Sequence, residues 1–202
     1  MKIKNIKYII VPFLFLFWGC SNTKYLTEGE LLYVGGSVKV VDSTMKKKVR
    51  KNLEKELEKL LRPKPNKQFL GLRPKLYFYN LAGEPKKEKG FKYWLRTKVG
   101  EPPVLFGKVN LEYNSDLLTN YAENKGYFKA KTTADSTRRG KKATAEYTVF
   151  PAMQYKIKEV IFPQDSSDLS KSIVKIKKGS LLKVGQPYDL EVIKAERERI
   201  DN

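Results

Sequence analysis

The chain has 202 residues, of which 41 are Lys or Arg and 22 are Asp or Glu, so its formal charge is +19. It has no histidine and a single cysteine, Cys20, which excludes an intrachain disulfide, histidine metal sites and histidine-activated nucleophiles. Hydrophobic residues at 41% and aromatics at 12% suffice for packed cores, and a positive balance of this size favours phosphates, anionic headgroups or acidic proteins as partners.

The chain opens with Lys2, Lys4 and Lys7, an apolar run from Tyr8 to Trp18, then Gly19 and Cys20. This is the layout of an export signal, and the run is shorter than the roughly 20 apolar residues a membrane span needs. With Leu16, Gly19 and Cys20 it resembles bacterial lipoprotein signals, which are cut before a cysteine that then carries lipid. An ordinary secretory signal or an N-terminal anchor would use the same residues. Cleavage would remove three lysines and no acid, leaving +16 (19 − 3). Export would also take the chain away from nucleic acid, and an anionic membrane surface fits its charge better.

Ser21 to Gly29 reads as a polar tether. Leu31 to Val41 reads as a strand broken at Gly35-Gly36 by a bulge or bend. Asp42-Ser43-Thr44 offers caps for a helix whose apolar positions are Met45, Val49, Leu53, Leu57, Leu60 and Leu61. Pro63 and Pro65 end it. Glu54, Glu56 and Glu58 lie among its lysines as a solvated face. Pro74 to Asn80 reads as extended, Ala82 to Gly90 as a loop, and Phe91 to Lys98 as a short helix or strand. Asn114-Ser115-Asp116 can cap a helix with Leu117, Leu118, Tyr121 and Ala122 on one face, and Gly126 sits where its C-terminus needs a left-handed residue. Tyr127 to Thr133 and Ala143 to Phe150 alternate as two arms of a hairpin about a polar turn, Asp135 to Lys142. Tyr155 to Phe162 reads as a further strand, Ser167 to Lys175 as a short helix, and Asp189 as the cap of a last helix with Leu190, Ile193 and Ile200 on one face.

Lys98-Val-Gly-Glu-Pro102 matches Lys183-Val-Gly-Gln-Pro187 at four of five positions, and each copy precedes a capped helix. The match predicts a repeated unit. The second copy would lack its hairpin, so the expectation is a fragment or a truncated product.

The order strand, helix, helix ending in Lys125-Gly-Tyr-Phe128, then hairpin resembles the POTRA domain. With Val-Gly-[Glu/Gln]-Pro ahead of the second helix, and a lipoprotein signal followed by Lys24 to Val34, the chain is similar to TamL-type lipidated members of the BamA/TamA superfamily. The resemblance implies an α+β fold of tandem POTRA-like domains, with a β-barrel following in the whole protein. Its divisions are 1–19 signal peptide, 20–29 tether, 30–152 first domain with an insertion near 62–95, and 153–202 an incomplete second domain. It implies a non-catalytic periplasmic module of an outer-membrane protein assembly factor. The module would be anchored in the outer membrane through Cys20, facing the periplasm, and would bind unfolded clients or assembly partners by strand addition. Tyr127 and Phe128 pack the hairpin on the helices and are the candidate client contacts. No metal or cofactor site is expected, and neither Asp135 nor Glu146 has an acid–base partner in view. The competing readings are an unrelated envelope lipoprotein that binds a solute or glycan in a deep pocket and, less favoured, a basic nucleic-acid-binding protein that uses Tyr77, Phe78, Tyr79, Tyr93 and Trp94.

Overall fold

The computed structural model describes residues 22–201. The export signal and Cys20 lie outside the described residues. Within them the chain is mixed α+β, with strands β1 (Leu32–Val40), β2 (Lys131–Arg139) and β3 (Lys142–Phe150). The helices are α1 (Lys47–Leu60), α2 (Pro74–Ala82), α3 (Phe91–Trp94), α4 (Leu111–Asn124), α5 (Asp168–Lys175) and α6 (Leu190–Asp201). No helix among the described residues is long and apolar enough to cross a membrane. The chain packs as two compact units interleaved in sequence. One comprises residues up to Gly35, 62–110 and 136–145; the other comprises 36–61, 111–135 and 146 onward.

The sheet runs in the order β1-β3-β2. β3 alternates as its sequence predicts, with Ala143, Ala145, Tyr147 and Val149 buried. The hairpin turn is only Gly140-Lys141, tighter than the polar turn expected over 135–142, because Asp135 to Arg139 continue β2. Leu32 N–H donates to Lys141 O and Val41 N–H to Val149 O. The two numbers rise together, so β1 lies parallel to β3. Between those bonds β1 advances nine residues (32 to 41) and β3 eight (141 to 149). The extra residue marks a β-bulge, and Gly35, at φ +138°, supplies the backbone it needs, at the predicted Gly35-Gly36 break.

In the first unit, Pro74 to Asn80 is helical rather than extended. Pro74 stands at the helix start, where its missing N–H costs nothing. Burial of Leu76 and Ala82 outweighs the strand preference of the Tyr-Phe-Tyr run. Leu26, Leu32 and Leu76 form a small core, with Val34 and Leu105 against it. Residues 104–106 run along the start of β1, where Tyr33 N–H donates to Val104 O and Phe106 N–H to Leu31 O. The segment from Phe91 is helical and ends in a wide turn closed by Gly100 N–H on Leu95 O, 2.7 Å.

In the second unit, Leu53 and Leu57 of α1 are buried, and Leu61 just beyond it. The helix starts at Lys47, so Asp42 does not cap it. The Asp42 Oδ1 instead accepts from the Thr44 hydroxyl and from the Thr44 and Met45 N–H groups, and the Thr44 bond leads in holding its pKa below the usual carboxylate value. α4 packs on α1 and begins three residues before the expected cap, so Asn114 is buried inside the helix beside Leu118 and Ala122. Its C-terminus closes as predicted. Gly126, at φ +86°, gives its N–H to Glu123 O, and Tyr127 N–H donates to Ala122 O. A Cβ at Gly126 would stand 2.9 Å from Tyr188 O. Tyr127 to Ala130 then turns, and β2 starts only at Lys131.

The strand expected over Tyr155 to Phe162 is reduced to one antiparallel bridge, Lys156 with Pro187. It is held by Ile157 N–H on Gln186 O and Tyr188 N–H on Tyr155 O. The two copies of the five-residue motif differ in backbone: Gly100 has φ −74° and Gly185 φ +83°. The short helix predicted over Ser167 to Lys175 is α5, capped by Ser167, whose hydroxyl accepts from Ser170 N–H. At the start of α6, Asp189 Oδ1 accepts from Glu191 N–H, and Leu190, Ile193 and Ile200 are half-buried. Glu196 of this helix is buried. It accepts from Leu181 N–H at 2.9 Å and pairs with Arg199 at 2.8 Å. The Arg199 bond, with the Leu181 amide assisting, lowers its pKa to about 2.

Candidate functional site

β1 and β2 are the two edges of the sheet, and the second unit holds part of each. The Val149 and Lys141 carbonyls face β1, so odd-numbered residues of β3 bond β1 and even-numbered ones bond β2. Across a two-residue hairpin loop Arg139 pairs with Lys142. It follows that Thr132 and Ala134 direct their N–H and C=O groups away from β3. No further strand lies beyond β2 among the described residues. β2 is exposed along almost its whole length, although the Thr119 hydroxyl of α4 donates to the Thr132 hydroxyl at 2.8 Å.

The β1 edge is treated differently. Val40 N–H donates to Glu54 Oε1 at 3.0 Å and Val38 N–H to Glu58 Oε1 at 3.3 Å. These carboxylates are therefore not simply a solvated face: one helical turn apart on α1, they cap alternate amides of the strand beneath. Glu56 points elsewhere and accepts from the Tyr121 hydroxyl at 3.0 Å. Burial, with Glu56 adding to it, raises the Tyr121 pKa.

A groove of about 1140 Å³ opens at the end of the sheet where β1 and β3 finish and β2 begins. Val41, Met45, Val49, Phe150 and Met153 give it an apolar floor, and Lys46, Lys129, Lys131 and Lys156 a basic rim. Met45 and Val49 belong to the predicted apolar stripe, yet Val49 is 47% exposed, because the stripe runs off the sheet into this groove. Tyr127 lines it and is buried. Burial, and after it the Asp42 carboxylate, pushes the Tyr127 hydroxyl pKa up.

Phe128 is not in the groove. It packs edge-on to Tyr155 (centroids 5.3 Å apart) and Tyr188 (4.8 Å) and remains 45% exposed. Beside this cluster Lys125 pairs with Asp189 at 2.7 Å. Burial opposes the ammonium there, but the Asp189 bond prevails and raises its pKa. By hairpin register Asp135 stands opposite Glu146 on the outer face of the sheet. Of the two candidate contacts, Tyr127 therefore faces the groove and Phe128 an aromatic patch; Cys20 lies outside the described residues.

An open strand edge offers main-chain hydrogen bonds that do not depend on sequence, and an apolar floor rimmed with lysines adds a place for side chains. Sequence reasoning missed the two capping glutamates. Their i, i+4 spacing is visible in the sequence, but the strand they reach is set by how α1 docks. Comparison with known proteins returns nothing: no family model matches the chain, and no curated protein or solved structure is significantly similar to it.

Proposed function

We propose that this chain is a lipid-anchored POTRA module of an outer-membrane protein assembly factor, held at the periplasmic face of the outer membrane by lipid on Cys20. It is not an enzyme; it binds client or partner chains by adding them as a fourth strand beside β2. The observation that carries this reading is the sheet order β1-β3-β2 with one capped edge and one open edge, fed by α1 before and α4 immediately ahead of the hairpin. The pairing of Leu32 with Leu105, and of Lys156 with Pro187, supports a recurring plan. In each instance a strand-like segment is met by the stretch at or just after a Val-Gly-[Glu/Gln]-Pro motif, ahead of a helix.

The test is a titration of the labelled protein with a synthetic peptide matching a strand of an outer-membrane β-barrel, read by amide chemical shifts. Strand addition moves the Thr132 and Ala134 amides most. Binding that leaves β2 unperturbed would sink the proposal.

A further inference from the structure

The insertion after α1 carries a feature that strand addition does not use. Residues Phe69 and Leu72 exchange both main-chain hydrogen bonds, at 2.8 and 2.9 Å, closing a tight turn. Its apex presents Phe69 at 69% and Leu70 at 84% exposure. Leu70 also adopts φ +48°, a left-handed backbone that disfavours a residue with a Cβ. A water-exposed turn would be served better by Asn or Gly at this place. Leucine there is unfavourable in both backbone and hydration, unless the apex is meant to enter an apolar phase.

Charge and position narrow the occupant. From Arg62 to Ala82 the sequence holds Arg62, Lys64, Lys67, Arg73 and Lys75 and no acidic residue, and Lys67 and Lys75, which bracket the turn, are exposed. Asn22 shares a cavity of about 250 Å³ with Leu72 and Tyr77, and its carbonyl accepts from the Asn80 amide at 3.4 Å. Cys20 is two residues from Asn22, a reach of roughly 7 Å at most. Resting on the lipid-anchor reading above, we propose that the Phe69–Leu72 turn dips into an anionic lipid bilayer, with Lys67 and Lys75 on its headgroups. The insertion would then hold the module against the membrane its anchor occupies.

The experiment places the full chain carrying Trp18→Phe, Trp94→Phe and Leu70→Trp on vesicles made with brominated lipid. One set contains phosphatidylglycerol with phosphatidylcholine; the other is phosphatidylcholine alone. The expected result is loss of tryptophan emission on the anionic vesicles. The loss should be smaller on the neutral ones and largely abolished by Lys67→Glu with Lys75→Glu. Unchanged emission on anionic vesicles, or equal quenching on both kinds, overturns the proposal. A parallel Phe69→Ser, Leu70→Ser chain guards against an effect of the probe; with Cys20→Ala in both it and its parent, so that no lipid holds either, it should detach from anionic vesicles at lower salt than that parent. Parental salt resistance retained in that chain overturns the proposal too. Failure of the anchor reading shows separately, as absence of palmitate on Cys20, while the position-70 emission still decides the docking.

Discussion

The two edges of the sheet face the same hazard and meet it in opposite ways. Along β1, each half has its own cover: the main chain of residues 104–106 bonds the first half, and Glu54 and Glu58 cap amides of the second. Along β2, the even-numbered positions of the second unit keep an outward-facing main chain. An edge strand left open over a long run is a template for another chain. Closing one edge and leaving the other means that an incoming strand has a single place to add.

The largest way to break this contrast is Leu57→Ala. Leu57 is fully buried and docks the helix that delivers both glutamates. Its truncation should cost about 2–5 kcal/mol, measured by urea denaturation, and should speed hydrogen exchange at Val38 and Val40. A narrower cut is Glu54→Ala with Glu58→Ala, which leaves the core intact but deprives two part-buried amides of acceptors. We expect a loss of roughly 1–3 kcal/mol and new self-association by light scattering, whereas Glu56→Ala should do neither. Ala134→Pro sharpens the comparison from the other side. It removes an outward N–H without touching the β2–β3 ladder, so stability should stay within about 0.5 kcal/mol while the peptide-induced amide shifts disappear. Last comes a pH scan, which moves nothing near neutrality. Glu196 caps the Leu181 amide as Glu54 caps Val40, and its pKa is lowered from 4.5 to about 2 in the folded chain. A lowered carboxylate pKa stabilises the fold above the unfolded value, so this contribution is complete above about pH 4.5 and fades as pH falls toward 2. The same acid scan on Glu196→Gln should show a shallower loss of Tm.

Much of this architecture is legible in the sequence where one physical signal acts alone. The alternation of β3, the Leu53–Leu57 stripe, the short helix after Ser167 and the left-handed Gly126 each depend on local pattern, and each is found where expected. The misses share a cause, which is competition between local preference and partners distant in the chain. Tyr155 to Phe162 alternates like a strand, but among the described residues its pairing is the single bridge to Pro187. Pro74 to Asn80 has the aromatic content of a strand, yet the pocket awaiting Leu76 makes it a helix. Asn114 has the chemistry of a cap and is instead carried into the buried face of α4. Of the candidate site, the open hairpin edge and Tyr127 could be anticipated. The capped opposite edge could not, because nothing in a run of Glu and Lys tells which carboxylates will find a strand.

The glycine-centred bulge in β1 decides how that edge can be covered at all. Before it, the outward amide belongs to Tyr33, an odd position; after it, to Val38 and Val40, even positions. The bulge is thus a change of phase, and each half of the strand must be matched by a cover set to its own beat. Forcing regular pairing through Gly35-Gly36 without shortening the strand would leave every side chain of α1 unaltered. It would nonetheless bring Ser37 and Lys39 to the places of Val38 and Val40, a frame error that repair of no single contact could correct.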